Sequence, residues 1–310
     1  MLSLTVVIPL YNKEAYVRNT IVSLANQRHK PVEIIVVDDA STDASLAIVK
    51  QTFSELEPAF ANTSVNIIAL PANAGPGNAR NIGIRESTSD LICFLDADDA
   101  YHPDFVETVT RYMWCEQIDF LVVGFQLQPS QALYPKTYKL KPYLSSVTDE
   151  LFLLPNPLLA VSSPHFFMGR GSNVVFFRKW IGDIRYETGS LLNEGVDFWY
   201  RVLKTVHSYT GTKVGLLHGN YIHVTEVQGS LSRRTYGHWK ELKAPPSVGR
   251  FRLSNNPFDQ QLSGMLTLRW YRHAMKSIGS SGQKVLFVYH HRALLFRALR
   301  YKFVRGFMRV

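Results

Sequence analysis

The sequence predicts an α/β fold in which a mostly parallel sheet is flanked by helices, and two features carry this prediction. Short apolar runs rich in β-branched residues alternate with segments of helical periodicity through about the first 125 residues. The connections are short, and polar or acidic residues follow the apolar runs. Buried parallel strands have this continuous apolar character, and the helices between them serve as crossovers. Ligands of such folds bind at the carboxyl ends of the strands.

Four strands are predicted in this part of the chain, at 4–9, 32–37, 65–70 and 91–95. A helix follows the first strand because Val17, Ile21 and Leu24 recur at helical spacing, and it ends before Pro31. The Ser, Thr and Asp residues at 41–43 can cap a second helix that runs to about residue 53. A third helix follows the turn at 71–77, and a further strand is predicted at 174–177.

The fourth strand is followed by three carboxylates within four positions, Asp96, Asp98 and Asp99. Because like charges this close repel one another, at least one of them would have a raised pKa without a counter-ion. A hard divalent cation bound through oxygen atoms, Mg²⁺ or Mn²⁺, is the simplest partner. The alternative is an acidic turn that caps a helix starting near Pro103, since Asp is common at such positions.

The composition limits the class of protein to which this site belongs. With 310 residues, 46% hydrophobic and 19% charged, the chain can fold around a large core. Its two cysteines, Cys93 and Cys115, are too few for a disulfide framework or a zinc site, and we expect both to be reduced. The N-terminus lacks a basic secretory signal and no apolar stretch of about 18 residues is present, so a cytoplasmic location is expected.

The net charge of +9 belongs to the C-terminal region. Residues 260–310 carry ten Lys or Arg and no Asp or Glu, and subtracting these ten charges leaves residues 1–259 at −1. Within this region, the spacing of apolar and basic residues at 285–310 predicts a helix with an apolar face and a basic face. The apolar face holds Leu295, Phe296, Leu299, Phe303, Phe307 and Val310. The basic face holds Arg297, Arg300, Lys302, Arg305 and Arg309.

Such a helix is typical of attachment to the surface of an anionic membrane. The alternatives are packing on the rest of the chain or at a dimer interface. Nucleic-acid binding is less favoured, because the aromatic residues lie on the apolar face and not among the basic residues. We therefore expect no nucleic-acid partner, and the oligomeric state stays open.

A dinucleotide-binding domain would share the alternation of strands and helices, but its fingerprint is absent. A glycine should stand three residues after Gly77, where the sequence has Arg80. The Gly-Pro-Gly turn also follows the third strand instead of the first. A nucleoside diphosphate held through a metal ion is the better fit.

Four segments in order carry a resemblance to a known family: VVIPLYN at 6–12, VVDDASTD at 36–43, NAG and ARNIG within 73–83, and FLDADD at 94–99. They resemble the signatures of family 2 glycosyltransferases of the GT-A fold, strongly to about residue 125 and more weakly to about residue 232. The resemblance implies a catalytic domain at 1–232, with a nucleotide-sugar-binding half at 1–125 and an acceptor-binding half at 126–232. The resemblance ends there. The turn-forming residues at 243–249 make this segment a candidate linker, and a helical extension is predicted at 233–310.

The family pattern also implies site residues. Those for the nucleotide sugar are Pro9, Tyr11, Asn12, Asp39, Arg80, Asp96, Ala97 and Asp98. Those for the metal, Mn²⁺ or Mg²⁺, are Asp98, Asp99 and His223. In this assignment the first motif and Asp39 hold the base, Arg80 lies near base and diphosphate, and the acidic motif binds ribose and metal. Helix capping for Asp39, packing for Tyr11 and a structural role for His223 are the alternatives.

The acceptor segment at 192–201 departs from the family pattern. Gly195 stands where the resemblance places the base aspartate, with Glu194 beside it and Asp197 further along the predicted helix. Either Glu194 or Asp197 serves as the general base that takes the proton of the acceptor hydroxyl, or catalysis is weakened. A helix cap is the alternative role for Asp197.

These inferences predict a metal-dependent, inverting glycosyltransferase that uses a nucleotide sugar, a UDP-sugar in the first instance. The acceptor would be a glycan or a lipid-linked molecule of cell-surface polysaccharide synthesis, and inversion is implied by the resemblance. The protein would lie in the cytoplasm or on the inner face of the cell membrane. The competing prediction, suggested by Gly195, is a nucleotide-sugar-binding or scaffold protein of the same fold with weak catalysis.

Overall fold

The structure is a computed structural model that describes residues 2–163, 168, 172–189, 194–226 and 235–307, with side chains described as far as residue 300. The α-helices in these residues are α1 (Val17–Ala25), α2 (Ser45–Glu55), α3 (Pro76–Glu86), α4 (Phe105–Cys115), α5 (Pro157–Val161), α6 (Glu194–His207), α7 (Pro246–Phe251), α8 (Pro257–Ser277) and α9 (Ser281–Phe307). The strands are β1 (Leu4–Leu10), β2 (Glu33–Asp38), β3 (Ser64–Ala69), β4 (Leu91–Phe94), β5 (Ala100–Tyr101), β6 (Phe120–Gln128), β7 (Leu133–Tyr134), β8 (Ser145–Ser146), β9 (Leu151–Leu153), β10 (Val174–Phe177) and β11 (Val214–Thr225).

These strands form one sheet in the order β3-β2-β1-β4-β10-β6-β11-β9-β8, while β5 pairs with β11 and β7 pairs with β6. The strands β3, β2, β1 and β4 are parallel. Next to them β10 is antiparallel to both β4 and β6, and β11 is again parallel to β6. The prediction of a mostly parallel sheet flanked by helices is confirmed, and the strand predicted at 174–177 is present with the opposite direction to its neighbours.

Burial explains the composition of the central strands. Every residue of β2 and β4 is buried, and so is every residue of β1 except Pro9. These are the continuous apolar runs of the sequence, as strands covered on both faces require. In contrast, β3 pairs with β2 alone among the described strands, and its residues are exposed or half-buried.

The three adjacent strands β2, β1 and β4 bring the predicted site residues to one edge of the sheet. Their registers pair the end of β1 with the end of β2, and the middle of β1 with the end of β4. Tyr11, Asp39 and Asp96 come just after these strands, so they leave the sheet at its carboxyl edge. This is the edge at which open α/β sheets bind their ligands.

Aromatic packing anchors α6 to the sheet. Trp199 of α6 is fully buried, and its ring centroid lies 5.6 Å from that of Phe94 in β4 and 5.1 Å from that of Phe176 in β10. Phe120 of β6 lies at 6.0 Å. Aromatic pairs at these separations add to the free energy of burial. Because α6 is fixed against three strands, the position of its first residue, Glu194, is fixed as well.

The C-terminal helices pack on α6 and on one another. Lys204 of α6 forms an ion pair with Asp259 of α8 at 2.9 Å. The helices α8 and α9 share a further aromatic cluster, in which Trp270 and Phe287 are fully buried. Among the described residues, no helix combines the length and the hydropathy needed to cross a membrane.

The segment 243–249 was expected to be a linker, and this expectation is wrong. Pro246 begins α7, where a proline is tolerated because the first N–H groups of a helix have no partner within it. Ser247 is fully buried, and its hydroxyl donates to Asp197 of α6 at 3.0 Å. The prolines that suggested flexibility therefore start a helix that is packed on α6. The predicted domain boundary at residue 232 lies outside the described residues.

Candidate active site

The three carboxylates after β4 differ in exposure. The side chain of Asp96 is 31% exposed, that of Asp98 is 16% exposed, and Asp99 is buried. Burial raises the pKa of Asp98 and of Asp99, and the charge of Asp96 raises both pKa values further. The electrostatic repulsion predicted from the sequence is therefore present, and it raises the pKa values of the two less accessible carboxylates, Asp98 and Asp99.

Asp99 also fixes the shape of the acidic turn. Its oxygens accept hydrogen bonds from the Ser172 hydroxyl at 3.0 Å and from the backbone N–H of Thr225, at the end of β11, at 3.1 Å. The Ser172 oxygen in turn accepts the N–H of Asp96 at 2.9 Å. Ser172 thus connects both ends of the acidic turn, which leaves Asp96 and Asp98 as its more accessible members.

Asp98 has a cationic partner that the sequence did not indicate. The Lys13 ammonium group lies 2.5 Å from Oδ2 of Asp98, and it lowers a pKa that burial raises. Lys13 belongs to the loop after β1, and its own N–H donates to the Ser45 hydroxyl at the start of α2. The folded chain therefore already places one cation beside Asp98.

Arg80 of α3 connects the acidic turn with α6. Its guanidinium group donates to Asp96 Oδ1 at 2.8 Å and to Glu194 Oε1 at 3.1 Å, and it lies 5.4 Å from the centre of the Tyr186 ring. Burial lowers the pKa of Arg80, but the negative charges around it, that of Asp96 first, raise it above its ordinary value overall. Arg80 is therefore a permanent positive charge between two carboxylates from distant parts of the sequence.

Glu194, the first residue of α6, has a side chain that is 12% exposed. Burial raises its pKa even though the adjacent Arg80 lowers it, and a carboxylate with a raised pKa is a better proton acceptor. Gly77 in the first turn of α3 makes room for this side chain. A Cβ atom at Gly77 would lie 3.1 Å from Oε2 of Glu194, so a larger residue there would press on the carboxylate.

Asp197, the other candidate base, is fully buried one turn along α6. Its Oδ2 accepts from Arg201 at 2.9 Å, and its Oδ1 accepts from Ser247 at 3.0 Å and from Arg250 at 3.2 Å. A carboxylate engaged by three donors in the interior has no access to an acceptor hydroxyl. The geometry therefore does not support the predicted catalytic role of Asp197, and it favours a structural role at the junction of α6 and α7.

Asp39 also has a structural task in the folded chain. It is 1% exposed, and its two oxygens accept the N–H groups of Ala74 at 2.9 Å and Gly75 at 2.7 Å. Gly75 has φ +92, a conformation that residues with a side chain rarely adopt, which explains the glycine at this turn. Asp39 thus shapes the loop that leads into α3, and its contact with a nucleotide base stays a prediction.

Residues 9–12 of the first motif also lie at the carboxyl edge of the sheet. Tyr11 is 44% exposed, so its ring is available for stacking, while Pro9 lies inside β1. The Asn12 side chain accepts the N–H of Thr42 at 2.8 Å and donates to the Thr42 hydroxyl at 3.2 Å. Asn12 therefore holds the loops after β1 and β2 together, and Tyr11 is the member of the three that offers an exposed aromatic ring.

Ala97 is the second residue of the acidic turn, and His223 lies on the strand that pairs with β5, just after this turn. His223 lies in β11 and pairs with Ala100 of β5, while Ala97 is buried. Burial and the neighbouring His102 lower the pKa of His223, which favours the neutral imidazole that can bind a metal. Even so, among the residues that the structure describes, no three His, Cys, Asp or Glu side chains come together as a metal site.

The residues present nevertheless fit a hard divalent cation. Asp98 and Asp99 are adjacent oxygen donors, and burial and the charge of Asp96 raise the pKa of both. Mg²⁺ is commonly held by one or two carboxylates together with phosphate oxygens of the substrate, and does not require a cage built by the protein alone. Asp98 is the more accessible of the two, so it would be the direct ligand, while Asp99 supports the turn.

Sequence reasoning missed several residues of this site, because they come together only through the fold. No local pattern in the sequence assigned Lys13, Ser172, Tyr186 or Gly77 to the site. Tyr186 is buried beside Arg80, and its main chain exchanges two hydrogen bonds with the Asn81 side chain, of 3.0 and 2.7 Å. The signal that the sequence did offer for this part of the site was the group of polar residues beside Arg80 in the third motif.

The chain thus combines an open α/β sheet, a cluster of acidic residues at its carboxyl edge, and a half-buried carboxylate that Arg80 joins to this cluster. These features define an α/β protein with a ligand site at the carboxyl edge of its sheet. The family profile described as glycosyl transferase family 2 matches residues 5–174, which is more than half of the chain. The chain therefore belongs to glycosyl transferase family 2, as its four motifs predicted.

The curated relatives include a glycosyltransferase of Streptococcus pneumoniae named GlyA, which is 27% identical over 238 residues. This alignment spans 74% of the present chain and 31% of GlyA. Poly(ribitol-phosphate) β-N-acetylglucosaminyltransferase TarS of Staphylococcus aureus is 28% identical over 125 residues, which are 40% of this chain and 21% of TarS. The chain thus spans less than half the length of the curated relatives it matches.

Solved structures show the same fold. A crystal structure of residues 1–349 of S. aureus TarS in complex with UDP-GlcNAc superimposes with a TM-score of 0.65 at 18% identity, covering 96% of this chain and 80% of the other. A mannosyltransferase of Pyrobaculum calidifontis in complex with GDP-Man and Mn²⁺ gives a TM-score of 0.58 at 14% identity, covering 96% and 86%. The predicted GT-A fold with a helical C-terminal region is confirmed.

Proposed function

We propose that this protein transfers a sugar, with inversion, from a nucleotide sugar to a glycan or lipid-linked acceptor in the synthesis of a cell-surface polysaccharide. The observation that carries the proposal is the chain of contacts Asp96–Arg80–Glu194, with 2.8 and 3.1 Å between the paired atoms. It joins the acidic turn, suited to a diphosphate and its metal, to a half-buried carboxylate suited to take a proton. Both halves of a sugar-transfer site therefore share one edge of the sheet.

The donor is proposed to be a nucleoside diphosphate sugar, and a UDP-sugar in the first instance. The exposed Tyr11 ring can stack on a base, and Asp96 and Asp98 flank the position expected for ribose and diphosphate. The similar TarS structure contains UDP-GlcNAc, and the similar mannosyltransferase contains GDP-Man. These neighbours support the class of donor, and the choice of uridine is part of the proposal.

A divalent cation, Mn²⁺ or Mg²⁺, would be held by Asp98, with Asp99 and His223 beside it. When bound, it would supply a Lewis acid that stabilises the charge of the departing diphosphate. Lys13 and Arg80 add fixed positive charge to the same edge, and both already contact carboxylates of the acidic turn. They would orient the anionic donor before any chemistry begins.

Glu194 would act as the general base. It would take the proton of the acceptor hydroxyl as that oxygen attacks the sugar on the face opposite the leaving group, which accounts for inversion. Burial supplies the raised pKa that this task requires. Gly195 leaves the adjacent position without a side chain, so the acceptor has space beside Glu194.

The acceptor and the location are proposed from α9. Its outer surface carries Val285, Tyr289, Phe296 and Leu299, all exposed, and we call this set the α9 stripe. Exposed apolar residues on a helix without acidic residues suit the surface of an anionic membrane. We therefore place the protein at the cytoplasmic face of the membrane, where a lipid-linked acceptor would be within reach.

The decisive experiment is a turnover assay with a panel of UDP- and GDP-sugars, Mn²⁺ or Mg²⁺, and membrane extracts or purified glycans as acceptors. Release of the nucleoside diphosphate that depends on both metal and acceptor is the expected result. Release of the nucleoside diphosphate at the same rate with and without every acceptor would contradict sugar transfer. The Glu194 site would then activate only water.

The second candidate is a nucleotide-sugar-binding or scaffold protein with weak catalysis. Two observations favour it: Gly195 replaces the expected aspartate, and Arg80 holds Glu194 in an ion pair. Metal-dependent UDP binding with no transfer to any acceptor in the panel would establish this candidate. Transfer at a rate that depends on Glu194 would exclude it.

A further inference from the structure

A second polar pocket lies among the C-terminal helices, and its lining residues are distinct from those of the candidate active site. Its volume is about 550 Å³, and we call it the arginine pocket. Arg252 enters it from the turn after α7, and Arg297 and Arg300 enter from α9. Ser263 and Thr267 of α8, both buried, line it as well. Three guanidinium-bearing residues and two hydroxyl groups thus share one cavity.

The positive charge of this pocket is not balanced by the described residues. None of the three arginines forms an ion pair with a carboxylate in the part of the chain whose side chains are described. The nearest acidic residue in sequence, Asp259, is occupied by Lys204 at 2.9 Å and by the Tyr200 hydroxyl at 2.9 Å. Residues 260–310 contain no acid at all.

A backbone contact holds two of the arginines near one another. The Arg297 guanidinium group donates to the carbonyl oxygen of Arg252 at 3.1 Å, which ties α9 to the end of α7. The contact places the Arg297 charge beside the main chain of Arg252, and both arginines are exposed, so an anion from solvent can reach them. The fold therefore maintains a site that attracts negative charge, as it does for positive charge at the acidic turn.

The donor chemistry identifies the class of anion. The planar guanidinium group matches the oxygens of phosphate and can bind two of them at once. The Thr267 hydroxyl already donates to the carbonyl oxygen of Ser263 at 2.7 Å, so Ser263 is the hydroxyl that can add a hydrogen bond. A cavity of about 550 Å³ accommodates a phosphate ester with a small substituent. A carboxylate is a less favoured ligand than a phosphate, because its two oxygens would use fewer of the donors that line the pocket.

Exposed apolar residues at the arginine pocket indicate that its ligand also has an apolar part. Leu253 lines the pocket and is 69% exposed, and Phe296, the neighbour of Arg297, is 71% exposed. A free phosphate or a sugar phosphate would gain nothing from them, whereas an amphiphile would bury its chains against them. We propose that the arginine pocket binds the phosphate headgroup of an anionic membrane lipid, with the α9 stripe in the bilayer surface.

This inference deepens the proposed function, because it rests on the attachment of α9 to a membrane. It adds recognition of a headgroup by a defined pocket to the general attraction between basic residues and anionic lipid. The two have different consequences: general attraction depends on charge alone, whereas recognition depends on the shape of the guanidinium group.

The test uses the full chain and three double variants. Arg252→Lys with Arg297→Lys keeps the charge and removes the planar donors, and Arg252→Gln with Arg297→Gln removes both. Arg272→Gln with Lys276→Gln, at exposed positions of α8, loses the same charge outside the pocket. The probes are soluble short-chain phosphatidylglycerol below its micelle concentration, inorganic phosphate, and vesicles of phosphatidylglycerol in phosphatidylcholine. Calorimetry and sedimentation measure binding, and thermal melting confirms that each variant is folded.

We expect the wild type and the Arg272/Lys276 variant to bind the soluble lipid with the same affinity. The Arg→Lys variant should bind it at least about tenfold more weakly, as expected when a bidentate, charge-assisted contact is lost. Unchanged binding by the Arg→Lys variant would overturn headgroup recognition. Inorganic phosphate that binds as tightly as the lipid would overturn the lipid as occupant.

The vesicle and transfer assays separate this inference from the proposed function. If the Arg252/Arg297 and Arg272/Lys276 glutamine variants lose vesicle binding equally and no soluble lipid binds, the pocket proposal fails and general attraction remains. If no sugar is transferred to any acceptor but the soluble lipid still binds in the pocket, the proposed function fails alone. Transfer to a soluble acceptor by the Arg→Lys variant at the wild-type rate is expected.

Discussion

At the scale of single residues, burial decides which carboxylate can act as a base. Glu194 and Asp197 lie one turn apart in α6, yet Glu194 retains some exposure and one basic partner, whereas Asp197 is fully buried with three donors. Proton transfer requires access to the acceptor hydroxyl. The two residues should therefore respond to substitution in different ways.

Glu194→Gln should lower kcat about 10²- to 10⁴-fold, as expected for loss of a general base, with little change in UDP affinity. Since the base acts deprotonated and burial raises the pKa of Glu194, kcat/KM of the wild type should rise with pH through a value above that of an ordinary glutamate. Steady-state kinetics across the acid range check both points. Glu86→Gln, at a half-exposed position at the end of α3, is the control. Near wild-type turnover in Glu194→Gln would remove this residue from the mechanism.

Asp98→Ala should abolish the Mn²⁺-dependent part of UDP binding, because Asp98 is the more accessible of the two carboxylates that fit the metal. Calorimetry with UDP, in the presence and absence of Mn²⁺, measures this part directly. Asp183→Ala removes an exposed aspartate outside the site and should behave as the wild type. Equal UDP affinity in Asp98→Ala and Asp183→Ala would refute the metal assignment.

At the scale of elements, the junction of α6 and α7 depends on one buried carboxylate. Asp197→Asn should destabilise the protein by about 3 kcal/mol, at the lower end of the range for breaking a buried ion pair because Arg250 is partly exposed. Denaturant unfolding measures the change, and kcat per folded molecule should stay near that of the wild type. A large fall in kcat at unchanged stability would show instead that Asp197 acts in catalysis.

The helix α9 has a packed side and a free side, and this changes how its attachment to a membrane must be tested. Truncation after Gly282 would remove Phe287, which is fully buried in the cluster shared with α8, and would damage the fold. Phe296→Ser with Leu299→Ser alters exposed positions only and keeps every charge.

Vesicle binding of the Phe296→Ser, Leu299→Ser variant should fall by an order of magnitude or more, since each apolar side chain of this size contributes about 1.5–3 kcal/mol when it leaves water. Met275→Ser, at an exposed position of α8, should have no effect. Vesicle sedimentation at several salt concentrations measures the change. The same binding in the two variants would leave packing or dimer formation as the role of α9.

At the scale of the whole molecule, the C-terminal helices and the sheet should unfold as one unit. The fragment 1–232 would leave Lys204 without Asp259, and Asp197 without Ser247 and Arg250. Losses of about 3 kcal/mol for each broken pair, at the lower end of the range for buried pairs because Lys204 and Arg250 are partly exposed, are together comparable with the total stability of a domain, about 5–15 kcal/mol. Calorimetry should therefore show one transition for the full chain and no cooperative transition for the fragment. A fragment that melts like the full chain would support a domain boundary at residue 232.

The sequence by itself determined the family, the first four strands and the carboxyl edge at which Tyr11, Asp39 and Asp96 meet. These features depend on local patterns: apolar runs give strands, helical spacing gives crossovers, and residues that follow parallel strands share an edge. The repulsion within the acidic turn could be predicted for the same reason. It acts between residues that are close in sequence, so it does not depend on the rest of the fold.

Only the tertiary structure decided which distant residues share a charge and which are shielded from solvent. The Arg80–Glu194 contact joins positions 114 residues apart, and the Lys13–Asp98 contact joins positions 85 apart. The burial of Asp197 depends on α7, which the sequence suggested as a linker. Electrostatic partners and access to water are set by packing between elements, and a local pattern carries no record of which elements will pack together.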